Sequence, residues 1–230
     1  MDIEIKHLLK GASEAEGLTV IIDVLRAFSV ECYAFNRGIE EIYPVGNINL
    51  AYELRDRETD LILIGERDGL RCEGFDFGNS PTEIEKANLK GKKAVHTTSA
   101  GTQGIAAAKF ATEILTGSLV NAKATAKYIK MRNPEKVTLV PMGFAGKEIA
   151  EEDELCAEYI KALLEGKEIK NMEERIESLK KTGGKRFFDS SQQEAYPEKD
   201  FYKCMEIDRF SFVIRIKKYS GLNIAEKYEV

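Results

Sequence analysis

Carboxylates placed at the ends of apolar runs are the side chains in this sequence best suited to metal or acid chemistry. Asp23 directly follows the almost wholly apolar run Leu18–Ile22. A carboxylate in such a desolvated position needs a cation or hydrogen-bond donors. Mg²⁺ prefers hard oxygen ligands of this kind, with water and substrate phosphate completing its octahedron. The candidate metal ligands are Asp23, Asp76, Glu152 and Asp153.

Two alternatives to the metal site remain open. Asp23 could instead form an ion pair with Arg26 or Arg67, and Glu152 and Asp153 could be acidic residues in the first turn of a helix, where the helix dipole favours them. If the site is catalytic, we expect Asp23, Arg26, Glu66 and Arg67 to carry the reaction.

Loops rich in glycine and hydroxyl side chains indicate recognition of an oxyanion. The segment 97–102 runs from a predicted strand into a predicted helix, and Gly101 would let backbone N–H groups approach a phosphate or sulfonate. Arg26 and Arg67 could grip the same anion with planar, charge-assisted contacts. Serine and threonine before a helix are, alternatively, only N-caps. The candidate substrate-binding residues are Asn79, Ser80, Thr97, Thr98, Ser99, Gly101, Ser118 and Asn121.

Several other features narrow the function. No Gly-x-x-x-x-Gly-Lys-Ser/Thr or Gly-x-Gly-x-x-Gly motif occurs, which argues against a P-loop NTPase and an ordinary dinucleotide-binding protein. Cys-x5-Arg and Asp-x-Asp, two common phosphatase arrangements, are also missing. The four cysteines are isolated, so we expect reduced thiols. We expect His96, on a predicted strand, to be a satisfied core histidine.

The elements that must position these residues alternate along the first part of the chain. Short apolar runs predict buried strands, and amphipathic stretches between them predict helices. The predicted strands are 18–24, 39–45, 60–65, 92–97, 111–116 and 137–142. This alternation of strands and helices predicts an α/β fold with a mainly parallel sheet flanked by helices on both faces. We expect one domain over 1–230: a βα core over 1–145, then a helical part with a late strand at 210–216.

Composition sets the wider limits. Of 230 residues, 43% are hydrophobic and 32% charged, which excludes a disordered, collagenous or coiled-coil chain. The net charge of −5 provides no global positive field, so we expect no nucleic-acid or membrane partner. No run of 18 apolar residues and no signal-peptide pattern occurs, and we predict a cytoplasmic protein. Because sheets seldom leave a β-branched edge bare, the edge of the strand 210–216 is covered either inside the chain or by a second subunit, and we expect a homo-oligomer, a dimer.

Six motifs follow one another along the chain: Asp23-x-x-Arg26, Gly65-Glu66-Arg67, the phrase Gly74-Phe75-Asp76-x-Gly78-Asn79-Ser80-Pro81, the Thr97-Thr98 loop, Gly117-Ser118-x-x-Asn121 and Glu152-Asp153. In order and spacing they resemble the 2-phosphosulfolactate phosphatase family over roughly residues 18 to 160. The phrase 74–81 is the most specific part. The loop 97–102 departs from the Thr-Thr-Asn-Gly-Thr form found in many members, which leaves the substrate open among small phosphorylated hydroxy acids.

The resemblance implies a Mg²⁺-dependent phosphatase that converts 2-phospho-3-sulfolactate to 3-sulfolactate and phosphate, a step of coenzyme M biosynthesis. Our hypothesis places Mg²⁺ on Asp23 with Glu66 or Asp76. The attacking group is either a carboxylate, with Asp23 as the candidate, or a water oriented by Glu152 or Asp153. The alternative function is a non-catalytic module that senses a phosphorylated metabolite.

Overall fold

The computed structural model describes residues 1–230. Ten strands and nine helices alternate through most of the chain. The strands are β1 Asp2–Ile5, β2 Gly17–Ile22, β3 Glu41–Pro44, β4 Ile62–Arg67, β5 Leu70–Arg71, β6 Lys93–Thr97, β7 Ala111–Gly117, β8 Lys136–Pro141, β9 Phe212–Tyr219 and β10 Leu222–Glu229. The helices are α1 Leu8–Ser13, α2 Ala27–Asn36, α3 Ile48–Arg57, α4 Pro81–Ile84, α5 Gly101–Ala107, α6 Ala122–Arg132, α7 Glu151–Glu165, α8 Met172–Leu179 and α9 Glu198–Cys204.

All ten strands form one sheet in the order β1-β8-β2-β7-β9-β10-β3-β6-β4-β5. Two parallel groups stand out, β1-β8-β2-β7 on one side and β3-β6-β4 on the other. The antiparallel hairpin β9-β10 lies between them and pairs with β7 and with β3. The predicted α/β class with a mainly parallel sheet is confirmed.

Helices cover both faces of the first parallel group because its strands are apolar on both sides. Val20 and Ile22 of β2 face a core shared with α6 and α7, whereas Ile21 belongs to a second core with α1 and α5. Successive side chains of a strand point to opposite faces, so both cores require an uninterrupted apolar run. The second parallel group is covered by α2 and α4 on one side and α3 on the other.

The sheet is strongly curved, and this curvature creates the site. Strands β2 and β6 are separated by four others in the sheet order, and in a flat sheet they would lie about 24 Å apart because neighbouring strands are about 4.8 Å apart. The loop after β6 nevertheless contacts the end of β2, where the Gly101 N–H donates to Asp23 Oδ2 at 2.8 Å. The two parallel groups are therefore turned toward each other around α2 and α5.

The C-terminal part differs from the sequence prediction in one strand. The late strand spans Phe212–Tyr219, two residues beyond the expected 210, and continues into β10, which was not predicted. Of the two covers expected for the late strand, the structure shows the one inside the chain, because β9 pairs with β7 on one side and β10 on the other. Self-association stays a prediction without that argument. None of the helices combines the length and apolar character that crossing a bilayer requires.

Candidate active site

A cleft opens at the carboxyl ends of β2, β4, β6 and β8, where ligands bind in open α/β sheets. The segment 183–204, which we call the C-terminal strap, closes one side of it. Among the residues predicted from the sequence, those that line the cleft are Asp23, Arg26, Glu66, Asn79, Thr98, Ser99, Glu152 and Asp153.

Asp23 is the central carboxylate of the cleft. It is 6% exposed, and its oxygens accept backbone N–H groups from Ala27 at 3.1 Å and Gly101 at 2.8 Å. The alternative ion pair with Arg26 or Arg67 is not formed, because both arginines bond elsewhere. Burial, together with the nearby charge of Glu66, raises the pKa of Asp23 to about 6. A cation beside this group would be strongly favoured.

Glu66 faces Asp23 from the end of β4. Its two oxygens accept the backbone N–H groups of Ser99 and Gly69, each at 2.8 Å. These donors come from two loops, one after β6 and one in the turn after β4. The carboxylate is therefore held by backbone amides, and each oxygen keeps a further lone pair for a ligand.

Asp153 and Glu152 enter the cleft from the first turn of α7. Asp153 accepts N–H groups from Val24 and Gly143, each at 2.8 Å. Burial and the charges of Asp23 and Glu152 raise the pKa of Asp153 well above its usual range. Glu152 Oε2 is buried and has no hydrogen-bond partner, and burial raises the pKa of this carboxyl too. Four buried carboxylates thus lie close together in one cleft. The place of Glu152 and Asp153 in the first turn of a helix therefore does not by itself account for them.

The donor set suits Mg²⁺ chemically, although it forms no complete protein cage. No three His, Cys, Asp or Glu side chains converge closely enough to hold a metal ion by themselves. Mg²⁺ commonly takes one or two carboxylates and completes its shell with water and substrate phosphate. Glu152 Oε2 has no hydrogen-bond partner, and the raised pKa of Asp23 indicates a carboxylate with no positive charge bonded to it. The residues present therefore fit the ion that the motifs imply.

Arg26 lies beneath the cleft with its charge compensated by the strap. It is 4% exposed, and its Nη1 donates to Asp200 Oδ2 at 2.8 Å. Nη2 donates to the Gly69 carbonyl at 3.3 Å. The guanidinium also lies over the rings of Phe187 and Tyr196, at 5.5 and 5.3 Å from their centroids. Such stacking and pairing fix the planar group in one orientation.

The strap contributes a second arginine that the sequence analysis missed. Arg186 lines the cleft, its Nε is buried without a partner, and its Nη2 lies 3.8 Å from Glu152 Oε1. The guanidinium is stacked 4.8 Å from the Phe144 ring centroid and 5.2 Å from that of Tyr196. Arg186 follows Gly183-Gly184-Lys185, far from any strand end, so no local pattern marked it.

The loop 97–102 uses its amides differently from the prediction. The Ser99 N–H donates to Glu66 and the Gly101 N–H to Asp23, while the Thr98 N–H donates to Thr102 Oγ1. A Cβ at Gly101 would lie 2.9 Å from Asp23 Oδ2. Glycine is therefore required for close approach to the protein's own carboxylate, and the Gly101 amide is not free for a phosphate.

The other predicted residues outside the cleft stabilise it from behind. Arg67 donates to the Glu66 carbonyl and to Thr97 Oγ1. Asp76 accepts hydrogen bonds from Arg55 at 2.6 Å and from the Leu63 N–H at 2.8 Å. As a metal ligand Asp76 is misplaced, because these bonds tie its loop to β4 away from the cleft.

Ser80, Ser118 and Asn121 are buried and likewise do not line the cleft. Ser80 Oγ accepts the Glu83 N–H at the start of α4 and donates to Asp200 Oδ1 at 2.8 Å. The Ser118 N–H donates to Asn121 Oδ1 at 3.0 Å. The capping alternative therefore describes these residues better than substrate contact.

Comparison with known proteins identifies one family. The family model described as 2-phosphosulpholactate phosphatase matches residues 3–219. A probable 2-phosphosulfolactate phosphatase of Clostridium tetani is 36% identical over 213 residues, which cover 91% of this chain and 88% of that protein. A protein of the same name from Bacillus subtilis is 32% identical over 204 residues, 87% of each chain. One from Carboxydothermus hydrogenoformans is 40% identical over 145 residues, 63% of this chain and 59% of that protein.

Fold and site together define an α/β enzyme with an acidic cleft and two arginines beside it. The chain belongs to the 2-phosphosulfolactate phosphatase family. The sequence resemblance to that family is thereby confirmed.

Proposed function

We propose that this protein hydrolyses 2-phospho-3-sulfolactate to 3-sulfolactate and phosphate, with Mg²⁺ as cofactor, in the cytoplasm and as a step of coenzyme M biosynthesis. Family membership supports the substrate. The observation that supports a metal-dependent reaction is the Asp23 carboxylate, buried among Glu66, Glu152 and Asp153 and held by backbone N–H groups alone. Buried anions of this density require a cation.

Substrate binding is assigned to the two arginines and the open rim. Arg186 has donors to spare and lies at the strap side of the cleft. It suits the sulfonate or carboxylate of the substrate, because a guanidinium holds such groups with two parallel hydrogen bonds. Arg26, already paired with Asp200, contributes positive potential below the phosphate. Asn79 and Thr98 complete the polar rim.

Asp23 and one neighbouring carboxylate, Glu66 or Asp153, would hold the metal, with water and substrate phosphate completing its shell. When bound, Mg²⁺ withdraws charge from the phosphoryl oxygens and lowers the barrier to displacement. Backbone amides fix both oxygens of each of these three carboxylates, so the ligands need little reorganisation on binding.

Hydrolysis adds one water across the P–O bond, and the alkoxide of the hydroxy acid leaves with a proton. Glu152 is suited to accept the proton of an attacking water, since Oε2 has no other partner and burial raises the pKa of its carboxyl. A covalent route through Asp23 remains the other option. The two routes differ in the intermediate: only the covalent route forms an acyl phosphate on Asp23, which borohydride would reduce and so convert this residue to homoserine.

The direct test measures phosphate release from 2-phospho-3-sulfolactate, with phospholactate and phosphoglycerate as related substrates. We expect release that requires Mg²⁺ and is lost with EDTA. Glu152→Gln should reduce kcat more than KM, and Glu151→Gln, at the exposed neighbouring position, is the matched control. Saturable binding of the substrate without any release would contradict the proposal and favour the sensing module.

A further inference from the structure

A buried acid and a buried histidine form a pair behind the cleft that the proposed reaction does not yet use. Glu31 of α2 and His96 of β6 are both fully buried. His96 Nδ1 lies 2.9 Å from Glu31 Oε1. Glu31 Oε2 has no hydrogen-bond partner at all. A pair of this kind gives little stability, because an apolar pair of the same shape would avoid the cost of burying the charges.

The pair is connected to the cleft through one side chain. His96 Nε2 lies 3.3 Å from Asn79 Oδ1, and Asn79 is one of the residues that line the cleft with Asp23 and Glu66. The bond from His96 is the only side-chain hydrogen bond of Asn79. The NH₂ group of Asn79 therefore keeps both of its protons for a ligand.

The direction of this bond determines where the protons are. Asn79 Oδ1 can only accept, so His96 Nε2 must carry a proton. That proton is present if Glu31 is ionised beside an imidazolium, and equally if a neutral Glu31 carboxyl donates to Nδ1. The third arrangement, an ionised Glu31 beside a neutral imidazole protonated at Nδ1, leaves Nε2 without a proton and reverses the Asn79 amide.

We propose that Glu31 and His96 are positioning residues, which hold the Asn79 amide with its NH₂ group directed into the cleft as a donor to an anionic oxygen of the substrate. The kinetic part rests on the proposed function, since it needs a substrate to bind. A reversed amide would present Oδ1 to the cleft, where it would repel both the substrate and the neighbouring carboxylates. The pair thus selects one of two orientations that are nearly equal in shape.

The first test needs no substrate. The chain contains two histidines, so nitrogen NMR of the ¹⁵N-labelled, metal-free protein gives signals from only two imidazoles, and His7→Ala assigns them. We expect His96 Nε2 to show a protonated nitrogen whose N–H exchanges slowly with solvent. An unprotonated Nε2 would overturn the proposal, whether or not the protein is a phosphatase.

The second test is kinetic and uses two substitutions that differ in reach. In His96→Gln the side-chain amide reaches the place of Nε2 and can still donate to Asn79, whereas the shorter His96→Asn cannot. We expect His96→Asn to lower kcat/KM about tenfold, the effect of one lost hydrogen bond, and His96→Gln to stay within about threefold of wild type.

A double substitution separates positioning from general damage. If His96 acts through Asn79, then His96→Asn in an Asn79→Ala background should cause no further loss of kcat/KM. Full additivity, or equal losses in the Gln and Asn variants, would refute the role. If neither His96 variant folds, the NMR experiment on the wild-type chain decides alone. If no substrate is turned over, the proposed function fails, but the NMR result still tests whether Glu31 and His96 hold the Asn79 amide in the proposed orientation.

Discussion

Buried carboxylates occur both in the cleft and in the C-terminal strap, but their charges are compensated differently in the two regions. Asp200, in the strap, accepts from Arg26 at 2.8 Å, from Ser80 at 2.8 Å and from the Thr82 N–H at 3.1 Å. Asp23, in the cleft, accepts from backbone N–H groups only. One carboxylate is compensated by a full positive charge, and the other is not.

This difference separates structural acids from ligand-binding acids. In the Arg26–Asp200 pair, both oxygens of the acid are already bonded within the folded chain, so Asp200 has little left to offer a ligand. The amide-held carboxylates of the cleft keep their shape while their charge remains unbalanced, which is the state a divalent cation and a polyanionic substrate would complete.

Removing the central cleft carboxylate should have the largest effect. We expect Asp23→Asn to lower kcat by about 10³-fold or more, because the main candidate metal ligand is lost, while circular dichroism still shows a cooperative melt. Asp76→Asn is the matched control outside the cleft and should keep kcat within about threefold. Similar kcat losses in both variants would erase the distinction between the regions.

Breaking the compensated pair should instead damage the fold. Asp200→Ala leaves Arg26 buried without its partner, and we expect the free energy of unfolding to fall by about 3–5 kcal/mol in urea titration. Glu177→Ala, which removes an exposed partner of Lys180, is the control and should leave the midpoint unchanged. A wild-type midpoint in Asp200→Ala would show that the strap does not depend on this pair.

The second arginine of the cleft, Arg186, should act on substrate affinity. Arg186→Met keeps the length of the side chain and removes its charge, and we expect KM to rise about 10–100-fold with a smaller change in kcat. Lys185→Met changes the exposed neighbour, which does not line the cleft, and should have little effect. An unchanged KM in Arg186→Met would remove this residue from substrate binding.

The smallest expected effect is the pH dependence of the stability of the metal-free protein. The pKa of Asp23 is raised from 3.8 to about 6, so its protonated form contributes stability that is fully present below about pH 4 and lost as pH rises through 6. We therefore expect the Tm of wild type, measured relative to that of Asp23→Asn, to be higher at pH 5 than at pH 7.5.

The contribution of Asp76 to stability should depend on pH in the opposite direction. Burial alone would raise the pKa of Asp76, but hydrogen bonds from Arg55 and from the Leu63 N–H lower it below its ordinary value. Its contribution should persist at neutral pH and be lost only in acid. The same trend for Asp23 and Asp76 would contradict the contrast.

Much of the fold was predictable because strands buried on both faces require long apolar runs. The runs around 18–22 and 137–141 became β2 and β8 almost as predicted. The strand β10 was not predicted because Leu222–Glu229 contains several charged residues and is largely exposed towards its end. Its strand conformation depends on pairing with β9, which no local pattern in the sequence encodes.

The site was predictable only where a strand end determines it. Asp23 and Glu66 follow apolar strands and therefore had to reach one edge of the sheet. The donors of the loop 97–102 were recognised, but a sequence cannot distinguish amides that bind a ligand from amides that bind the protein's own carboxylates. Arg186 reaches the cleft through tertiary packing of the strap. No pattern in the neighbouring sequence predicts this position.

The hairpin β9-β10 also sets the order in which the protein can be assembled during translation. Both parallel groups, which end with β8 at Pro141, have left the ribosome about seventy residues before the strands that join them. The nascent chain therefore carries two unjoined sheet edges, at β7 and β3, until its last segment is synthesised. Exposed edges of this kind invite pairing with other chains until β9 and β10 cover them.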